Sequence, residues 1–302
     1  MINRVLLFGL LQLARPANVI TSIADVVAGY AIVASLAGIY IPNIDIIFLI
    51  IATSCLYAGG VVYNDVFDAK LDAVERPERP IPKGTVSLLQ AQIWGAILLT
   101  IGVLAGYMVN VIAGAIATLI CIFALLYDKY SKHHIVFGPL NMGLCRGLNL
   151  CLGMAFIPSN LYNMYLIAII PIIYTAAITL TSHGEVHNGG TRNLYIAAAL
   201  LCLVYACQTY IFVTYGTRST DIRLYFQIFM LALPFSVLYH ICVAIVRKAA
   251  PTYVMHAVKM AVINIIFIDV SWAACFGQYN FAFFMISLFF ISRWLARIFA
   301  VT

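Results

Sequence analysis

Long apolar segments follow one another along almost the whole chain, and they decide what it can fold into. Each is about 20 residues long, the length that a helix needs to cross a bilayer, and none shows the apolar–polar alternation of a barrel strand. With 64% hydrophobic and 9% charged residues among 302, the chain is far more apolar than a soluble domain. The sequence therefore predicts an all-α, polytopic transmembrane helix bundle, with residues 1–302 as a single membrane-embedded domain. The ten predicted segments are about 16–40, 44–67, 87–108, 110–128, 137–157, 161–182, 193–215, 224–246, 257–276 and 279–299.

The basic residues indicate how these segments are oriented. Counting spans from a cytoplasmic N-terminus puts fourteen of the seventeen Lys and Arg residues on the cytoplasmic side. Only Arg218 and Arg223 fall on the other side, and Arg146 falls within a span. This asymmetry follows the positive-inside rule, so we expect a multi-pass protein of the cell inner membrane with both termini in the cytoplasm. Because topology explains the net charge of +6, that charge does not indicate a nucleic-acid partner.

Acidic residues concentrate at the predicted cytoplasmic end of the second span. Five of the eleven lie within fourteen residues, in the string NDVFDAKLDAVERPE. Carboxylates on one helical face repel each other unless a cation lies among them, and such hard oxygen ligands suit Mg²⁺. The alternative is a solvated juxtamembrane helix whose acids neutralise nearby Arg and Lys. We predict as metal ligands the four residues that share an arc of about 100° on a helix: Asn64, Asp65, Asp68 and Asp72.

The loop that follows the acidic motif reads RPERPIPKG, from Arg76 to Gly84. Its three prolines stiffen the chain and end the helix. Arg76 and Arg79 supply cations beside the acidic stripe. Because a metal ion together with Arg and Lys side chains commonly binds phosphate groups, this region predicts a diphosphate site.

The string from Asn64 to Gly84 resembles the aspartate-rich motif and loop of the UbiA superfamily of intramembrane prenyltransferases. The chain shows two further similarities: RPAN, ending at Asn18, resembles the opening of the family's first helix, and YDKYSK, from Tyr127 to Lys132, resembles its Tyr-x(n)-Lys element with one more spacer residue. The resemblance implies a bundle of nine to ten helices with a cytoplasm-facing active-site cavity. It also implies transfer of a polyprenyl group from an isoprenyl diphosphate to a small acceptor in the lipid bilayer, with Mg²⁺. Asn18, Tyr127 and Lys132 would then bind the diphosphate together with Arg76, Arg79 and Arg146.

Two stretches, 138–154 and 182–190, resemble the EboC-type branch of this superfamily. A typical member carries a second acidic motif at the end of the sixth helix. Here the matching positions are Ser182, Glu185 and Gly189, so Glu185 alone keeps a carboxylate. We predict that Glu185 helps to hold a second Mg²⁺ and that His183 and His187 bind substrate or diphosphate. A transition-metal site formed by the two histidines and Glu185 is a weaker alternative.

Polar residues inside the predicted spans mark the cavity, because an ionisable group at membrane depth usually faces a cavity or a partner. We predict Asn18, Asn141, Arg146 and Asn149 around the cavity; a structural hydrogen-bond network between helices is the alternative. Asp25 shares a helical face with Asn18. Asp25, Glu185 and His183 are the candidates for the group that takes the acceptor's proton, and the sequence does not choose among them.

The sequence thus favours a Mg²⁺-dependent prenyltransferase whose catalytic residues are Asp65, Asp68, Asp72 and Glu185. Two other classes of protein stay open. A non-catalytic, lipid-binding or scaffold member of the superfamily fits the depleted second motif. A secondary transporter fits less well, since the carboxylates lie at a helix end and no internal repeat is evident.

Overall fold

A computed structural model describes residues 4–132, 134, 136–186, 190–216 and 222–299, with the backbone alone for residues 183–186, 190 and 222. Within these ranges the chain forms helices and no strand, which confirms the all-α bundle predicted from the sequence. The helices are α1 Arg4–Leu13, α2 Pro16–Leu36, α3 Asp45–Phe67, α4 Ala69–Glu75, α5 Leu88–Val109, α6 Val111–Leu126, α7 Phe137–Met154, α8 Pro158–Met164, α9 Ile169–Val186, α10 Gly190–Tyr215, α11 Ile222–Ala232, α12 Ser236–Val246, α13 Pro251–Cys275 and α14 Tyr279–Ile298. A π-helix, Tyr127–Ser131, continues α6, and two 3₁₀ turns, Tyr165–Ala168 and Leu233–Phe235, join α8 to α9 and α11 to α12.

Nine spans in the described part of the chain are long and apolar enough to cross a membrane. They match nine of the ten predicted segments, with α8–α9 and α11–α12 each forming one span. The remaining segment, 137–157, is occupied by α7, a helix of 18 residues. Asn141, Arg146 and Asn149 make α7 less apolar than its neighbours, and its position among α2, α6 and α9 keeps those side chains away from lipid. The chain is therefore a multi-pass membrane protein. The side on which each terminus lies stays a prediction.

Two tight helical hairpins form where the sequence leaves only a few polar residues between spans. Between α5 and α6, the Asn110 side-chain oxygen accepts a hydrogen bond from the Ala113 amide at 2.9 Å and so caps α6. Its side-chain nitrogen donates to the Ala155 carbonyl at 2.8 Å, which ties the hairpin to the end of α7. Between α13 and α14, Gly277 has φ +73°, a left-handed conformation that favours glycine.

The α2 helix lies at the centre of the bundle and packs against α3, α7, α13 and α14. It crosses α7 at short range: a Cβ on Gly29 would lie 2.1 Å from the Leu150 carbonyl oxygen, and one on Gly153 would lie 2.1 Å from the Val26 carbonyl oxygen. Distant parts of the chain also hold α2 and the turn after it. Ser35 Oγ donates to the Phe276 carbonyl at 2.6 Å, Gln278 Nε2 donates to the Ile39 carbonyl at 2.8 Å, and Ser292 Oγ donates to the Ala17 carbonyl at 2.8 Å.

Candidate active site

The acidic motif lies where α3 ends and α4 begins. The two helices are separated only at Asp68, where the backbone bonds from Asp68 N to the Asn64 carbonyl and from Asp72 N to the Asp68 carbonyl continue the helical register. Asp65 and Asp72, one turn on either side of Asp68, are both buried. The predicted stripe of oxygen-bearing side chains is therefore present, although it spans two helices rather than one.

Arg79 bridges the two buried carboxylates of the motif. Its Nη1 lies 2.7 Å from Asp72 Oδ2 and 3.2 Å from Asp65 Oδ1, and its side chain is 8% exposed. The proline-rich loop brings it there, and the bond from Val86 N to the Pro80 carbonyl closes that loop. Arg79 thus neutralises a pair of carboxylates that would otherwise repel each other.

Arg15 supplies a second cation to Asp65 from the junction between α1 and α2. Its Nη2 donates to Asp65 Oδ1 at 2.6 Å. The Arg15 backbone is left-handed, with φ +46°, a conformation that costs a non-glycine residue about 1 kcal/mol or more. Pro16 begins α2 directly after it and fixes the direction in which the helix leaves the turn. The strained turn therefore places a guanidinium against a buried carboxylate.

The third cation comes from the connection between α6 and α7. Lys132 Nζ forms an ion pair with Asp68 Oδ1. Nearby, Asn64 Nδ2 donates to Asp128 Oδ1 at 2.9 Å. Asp128 and Lys132 belong to the π-helix and its C-cap. We call this set the ionic cluster: Arg15, Asn64, Asp65, Asp68, Asp72, Arg79, Asp128 and Lys132.

A cavity of about 440 Å³ begins at the ionic cluster and runs between six helices. Arg15, Asn64 and Asp128 line it at the cluster. Further in, its wall combines the rings of Tyr57 and Tyr127 with aliphatic side chains and a few hydroxyl groups. The contributing helices are α2, α3, α6, α7, α9 and α13.

Deeper in the bundle, a second group of charged residues underlies the cavity wall. Arg146 lines the cavity, and its Nε lies 3.0 Å from Asp25 Oδ2. Asn149 Nδ2 donates to the same Asp25 oxygen at 2.9 Å. Asp269 of α13 is buried next to Asp25. These four residues form the inner network.

Backbone and hydroxyl groups complete the inner network. Arg146 Nη1 donates to Thr21 Oγ1 at 3.2 Å, and its Nη2 donates to the Thr21 carbonyl at 3.3 Å. Thr53 Oγ1 donates to Asn149 Oδ1 at 2.7 Å. The network therefore joins α2, α3, α7 and α13 around one guanidinium.

Comparison with known proteins gives this architecture a family. The model of the UbiA prenyltransferase family matches residues 26–255, which is most of the chain. The chain belongs to the UbiA prenyltransferase family.

Sequence relatives of this UbiA family member include archaeal digeranylgeranylglyceryl phosphate synthases. That of Sulfurisphaera tokodaii is 30% identical over 171 residues, which are 56% of this chain and 59% of the relative. That of Methanobrevibacter smithii is 32% identical over 187 residues, which are 59% of this chain and 63% of the relative. The chain thus spans about three fifths of the length of these curated relatives.

Solved structures agree on the fold. A structure described as concerning digeranylgeranylglyceryl phosphate synthase in membranes has a TM-score of 0.68 and 20% identity, covering 90% of this chain and 98% of that one. A UbiA homologue from Archaeoglobus fulgidus bound to GPP and Mg²⁺ has a TM-score of 0.62 and 14% identity, covering 92% and 99%. The UbiA superfamily and its fold, predicted from the motifs, are confirmed. The EboC-type branch stays a prediction.

The structure of this UbiA family member brings together most of the site residues predicted from its sequence. Asn64, Asp65, Asp68, Asp72, Arg79 and Lys132 lie in the ionic cluster, whereas Asn18, Tyr127, Arg146 and Asn149 line the cavity. Asp25 lies behind the cavity wall, in the inner network. Asn141 is buried and donates to Ser131 Oγ at 3.0 Å, away from the cavity lining. Arg76 is exposed, and none of the ion pairs among the described residues includes it.

The second acidic motif is described only in part. The α9 backbone is helical through Val186, and Thr175, Ile178 and Thr179 of that helix line the cavity. At 100° per residue, Ser182 and Glu185 take positions on the same helical face. His183, at the next position after Ser182, is about 200° from Glu185. His187 and Gly189 lie outside the described residues.

Sequence reasoning missed two charged residues of the ionic cluster. In the sequence, Arg15 stands out only as part of RPAN, and Asp128 only as part of YDKYSK. The residue type of Asp128 is a usable signal. The chain has only eleven acidic residues, and this one lies near the end of an apolar span, three residues before Ser131. Nothing in the sequence signals that Arg15 meets Asp65, fifty residues away.

The predicted Mg²⁺ site has suitable oxygen ligands, but its described side chains do not form a preformed coordination site. No three His, Cys, Asp or Glu side chains among the described residues are gathered as a metal site. Asp65, Asp68 and Asp72 pair instead with Arg15, Lys132 and Arg79. The alternative in which the acids neutralise nearby Arg and Lys is thus partly realised, but Asp65, Asp72 and Arg79 are buried rather than solvated.

Proposed function

We propose that this chain transfers a polyprenyl group from an isoprenyl diphosphate to a small acceptor inside the membrane, and that it needs Mg²⁺. The observation that carries the proposal is the ionic cluster at one end of a cavity within a transmembrane bundle. Carboxylates, an amide and three cations lie there beside a chamber with aliphatic and aromatic walls. An amphiphile with a diphosphate head and an isoprenoid tail matches both parts.

The residues present fit Mg²⁺ by the chemistry of their donor atoms. Every candidate ligand offers a hard oxygen, and Mg²⁺ is commonly bound through one or two carboxylates together with substrate phosphates and water. One buried carboxylate oxygen of the cluster, Asp128 Oδ2, has no hydrogen-bond partner in the described part of the chain. When bound, the ion would neutralise the diphosphate and make it a better leaving group. The residues proposed to hold it are Asn64, Asp65, Asp68 and Asp72, with Glu185 for a second ion.

The three cations of the ionic cluster bind the diphosphate in this proposal. Arg15, Arg79 and Lys132 now neutralise the motif's carboxylates. When those carboxylates bind a metal ion, the N–H donors are free to bind phosphate oxygens, and such charge-assisted bonds are among the strongest in proteins. Arg146 offers further N–H groups from the cavity wall. The exposed Arg76 would reach a phosphate only at the outer edge of the site.

The cavity protects the reaction from water. Breaking the allylic carbon–oxygen bond produces a carbocation, which water would capture in solution. Tyr57 and Tyr127 line the cavity, and aromatic ring faces attract cations. The apolar wall between them accommodates the prenyl chain.

The acceptor binds beside the inner network in this proposal. The name of the archaeal relatives points to a glyceryl phosphate lipid, which offers a hydroxyl oxygen as the attacking atom. That hydroxyl must lose its proton as the new carbon–oxygen bond forms. Asp25 Oδ2 already accepts from Asn149 and faces Arg146, so we assign Asp25 to holding Arg146 in place. Glu185 and His183 remain the predicted proton acceptors.

The test of the proposal is transfer of radiolabelled prenyl groups by the purified chain, measured against magnesium concentration with a glyceryl phosphate lipid or a cell lipid extract as acceptor. We expect Asp68→Asn to abolish turnover at every magnesium concentration. Glu185→Gln should instead raise the magnesium concentration needed for half-maximal activity, because fewer carboxylates hold the second ion. Asp45→Asn, the same substitution in the first turn of α3 far from the cluster, is the control.

The outcomes separate the two functional classes. Full activity in Asp68→Asn would contradict a catalytic role for the motif and favour the non-catalytic, lipid-binding alternative. Loss of activity in Glu185→Gln that magnesium does not restore would make Glu185 the proton acceptor rather than a metal ligand.

A further inference from the structure

The ionic cluster contains one more carboxylate than cations. Its acids are Asp65, Asp68, Asp72 and Asp128, and its cations are Arg15, Arg79 and Lys132. Each of the first three acids has a cation within ion-pair distance, whereas Asp128 accepts its hydrogen bond from the neutral amide of Asn64. Among the described residues of the cluster, Asp128 is therefore the carboxylate without a cation of its own.

Asp128 lies where an uncompensated charge is costly. It is 4% exposed, and it lines the cavity. Its Oδ1 accepts from Asn64 Nδ2 at 2.9 Å, while its Oδ2 is buried without a hydrogen-bond partner in the described part of the chain. A buried carboxylate oxygen in this state is stabilised by a cation or by a proton.

A local change of helix type places Asp128 at this point. Residues Tyr127–Ser131 form a π-helix, in which Lys132 N bonds to the Tyr127 carbonyl, five residues earlier, at 3.0 Å. A π-helical turn holds one residue more than an α-helical turn and often occurs at functional sites. Lys132, the C-cap of this π-helix, forms the ion pair with Asp68.

We propose that Asp128 is a ligand of the divalent metal ion, binding it through Oδ2, and that it supplies a carboxylate that the depleted second motif lacks. The ion itself rests on the proposed function. The contact between Asn64 and Asp128 supports the assignment, because an amide that donates through Nδ2 keeps its carbonyl oxygen for a metal ion. An ion between these two residues would have hard oxygen donors from α3 and from the π-helix. It would also neutralise the surplus charge of the cluster.

The experiment measures metal binding by the purified chain in detergent. Mn²⁺ serves as a probe for the Mg²⁺ site, and the free Mn²⁺ is quantified by electron paramagnetic resonance. Titrations are run with and without inorganic pyrophosphate. Asp128→Asn removes the charge but keeps an oxygen that can accept from Asn64, so the Asn64 side chain stays oriented. Asp45→Asn, on the same helix as Asn64 but at its other end, is the matched control.

We expect Asp128→Asn to weaken Mn²⁺ binding at least ten-fold in one or both conditions, and Asp45→Asn to change it less than two-fold. Wild-type affinity in Asp128→Asn would overturn the proposal, and so would a wild-type chain that binds no Mn²⁺ in either condition. Wild-type affinity combined with lost turnover would assign Asp128 to positioning Asn64 instead. Mn²⁺ binding that depends on Asp128 in a chain without prenyl transfer would sustain the metal site and refute the proposed function alone.

Discussion

Arg79 offers the sharpest test of how the ionic cluster is held together. Replacing it by alanine removes both the 2.7 Å contact with Asp72 and the 3.2 Å contact with Asp65. Asp65 keeps Arg15 at 2.6 Å. Asp72, whose side chain is 5% exposed, loses the cation that neutralises it.

The size of the effect follows from that asymmetry. Removing one partner of a buried ion pair costs about 3–5 kcal/mol, because the other charge stays buried and uncompensated. Since Asp65 retains a cation and the loop lies at the end of a helix, we expect the lower end of this range, about 3 kcal/mol. That corresponds to a fall in melting temperature of roughly 5–10 °C.

The assay is thermal unfolding in detergent, first with EDTA and then with Mg²⁺. Arg76→Ala, an exposed arginine in the same loop, should stay within about 0.5 kcal/mol of wild type. The double variant Arg79→Ala/Asp72→Asn should recover most of the lost stability, because it removes the uncompensated charge. Mg²⁺ should raise the melting temperature of Arg79→Ala more than that of wild type, since the Asp72 carboxylate no longer has a competing cation.

Two results would refute this reasoning. The first is an Arg79→Ala protein that melts together with Arg76→Ala, because Arg79 would then not be neutralising a buried charge. The second is a double variant that melts as low as the single one, since the loss would then come from packing of the arginine side chain rather than from charge.

Two further predictions concern the bundle. Gly29→Ala should lower stability by about 1–3 kcal/mol in the same thermal assay, because its Cβ would meet the Leu150 carbonyl oxygen at 2.1 Å. Gly60→Ala is the control: its Cβ would lie 3.4 Å from that of Ala124, so stability should stay unchanged or rise. Equal melting temperatures of the two variants would argue against a close α2–α7 crossing. A reporter that is active only in the cytoplasm should be active when fused after Thr302, whereas one that is active only in the periplasm should be inactive there. The opposite pattern would contradict the predicted topology.

The sequence predicts the helices well because a membrane span is a local property. The predicted segment 44–67 is α3 at Asp45–Phe67, and the predicted segment 279–299 is α14 at Tyr279–Ile298. Both depend on the length of an uninterrupted apolar run. The predicted segment 137–157 likewise contains a helix, α7, because glycine and leucine residues surround its polar residues.

The contacts within the site were less accessible to sequence reasoning, because they join helices whose adjacency a single sequence does not specify. Asp25 lies next to Asp269 of α13, which belongs to none of the motifs recognised in the sequence. Asn64 meets Asp128 across 64 positions of chain. The π-helix that carries Asp128 continues an apolar α-helix, and an apolar run does not indicate where the hydrogen-bond pattern changes from α to π.

The central position of α2 has a consequence for how the protein is made. Its C-terminal partners, around Phe276, Gln278 and Ser292, follow it by some 240 residues or more. During synthesis α2 therefore enters the membrane long before the helices that will surround it. Until Arg146 and Asp269 have been synthesised, Asp25 has neither neighbour, and a lone carboxyl group in lipid is costly. The chain therefore depends most on the insertion machinery or on a protecting chaperone while only its N-terminal half has been made.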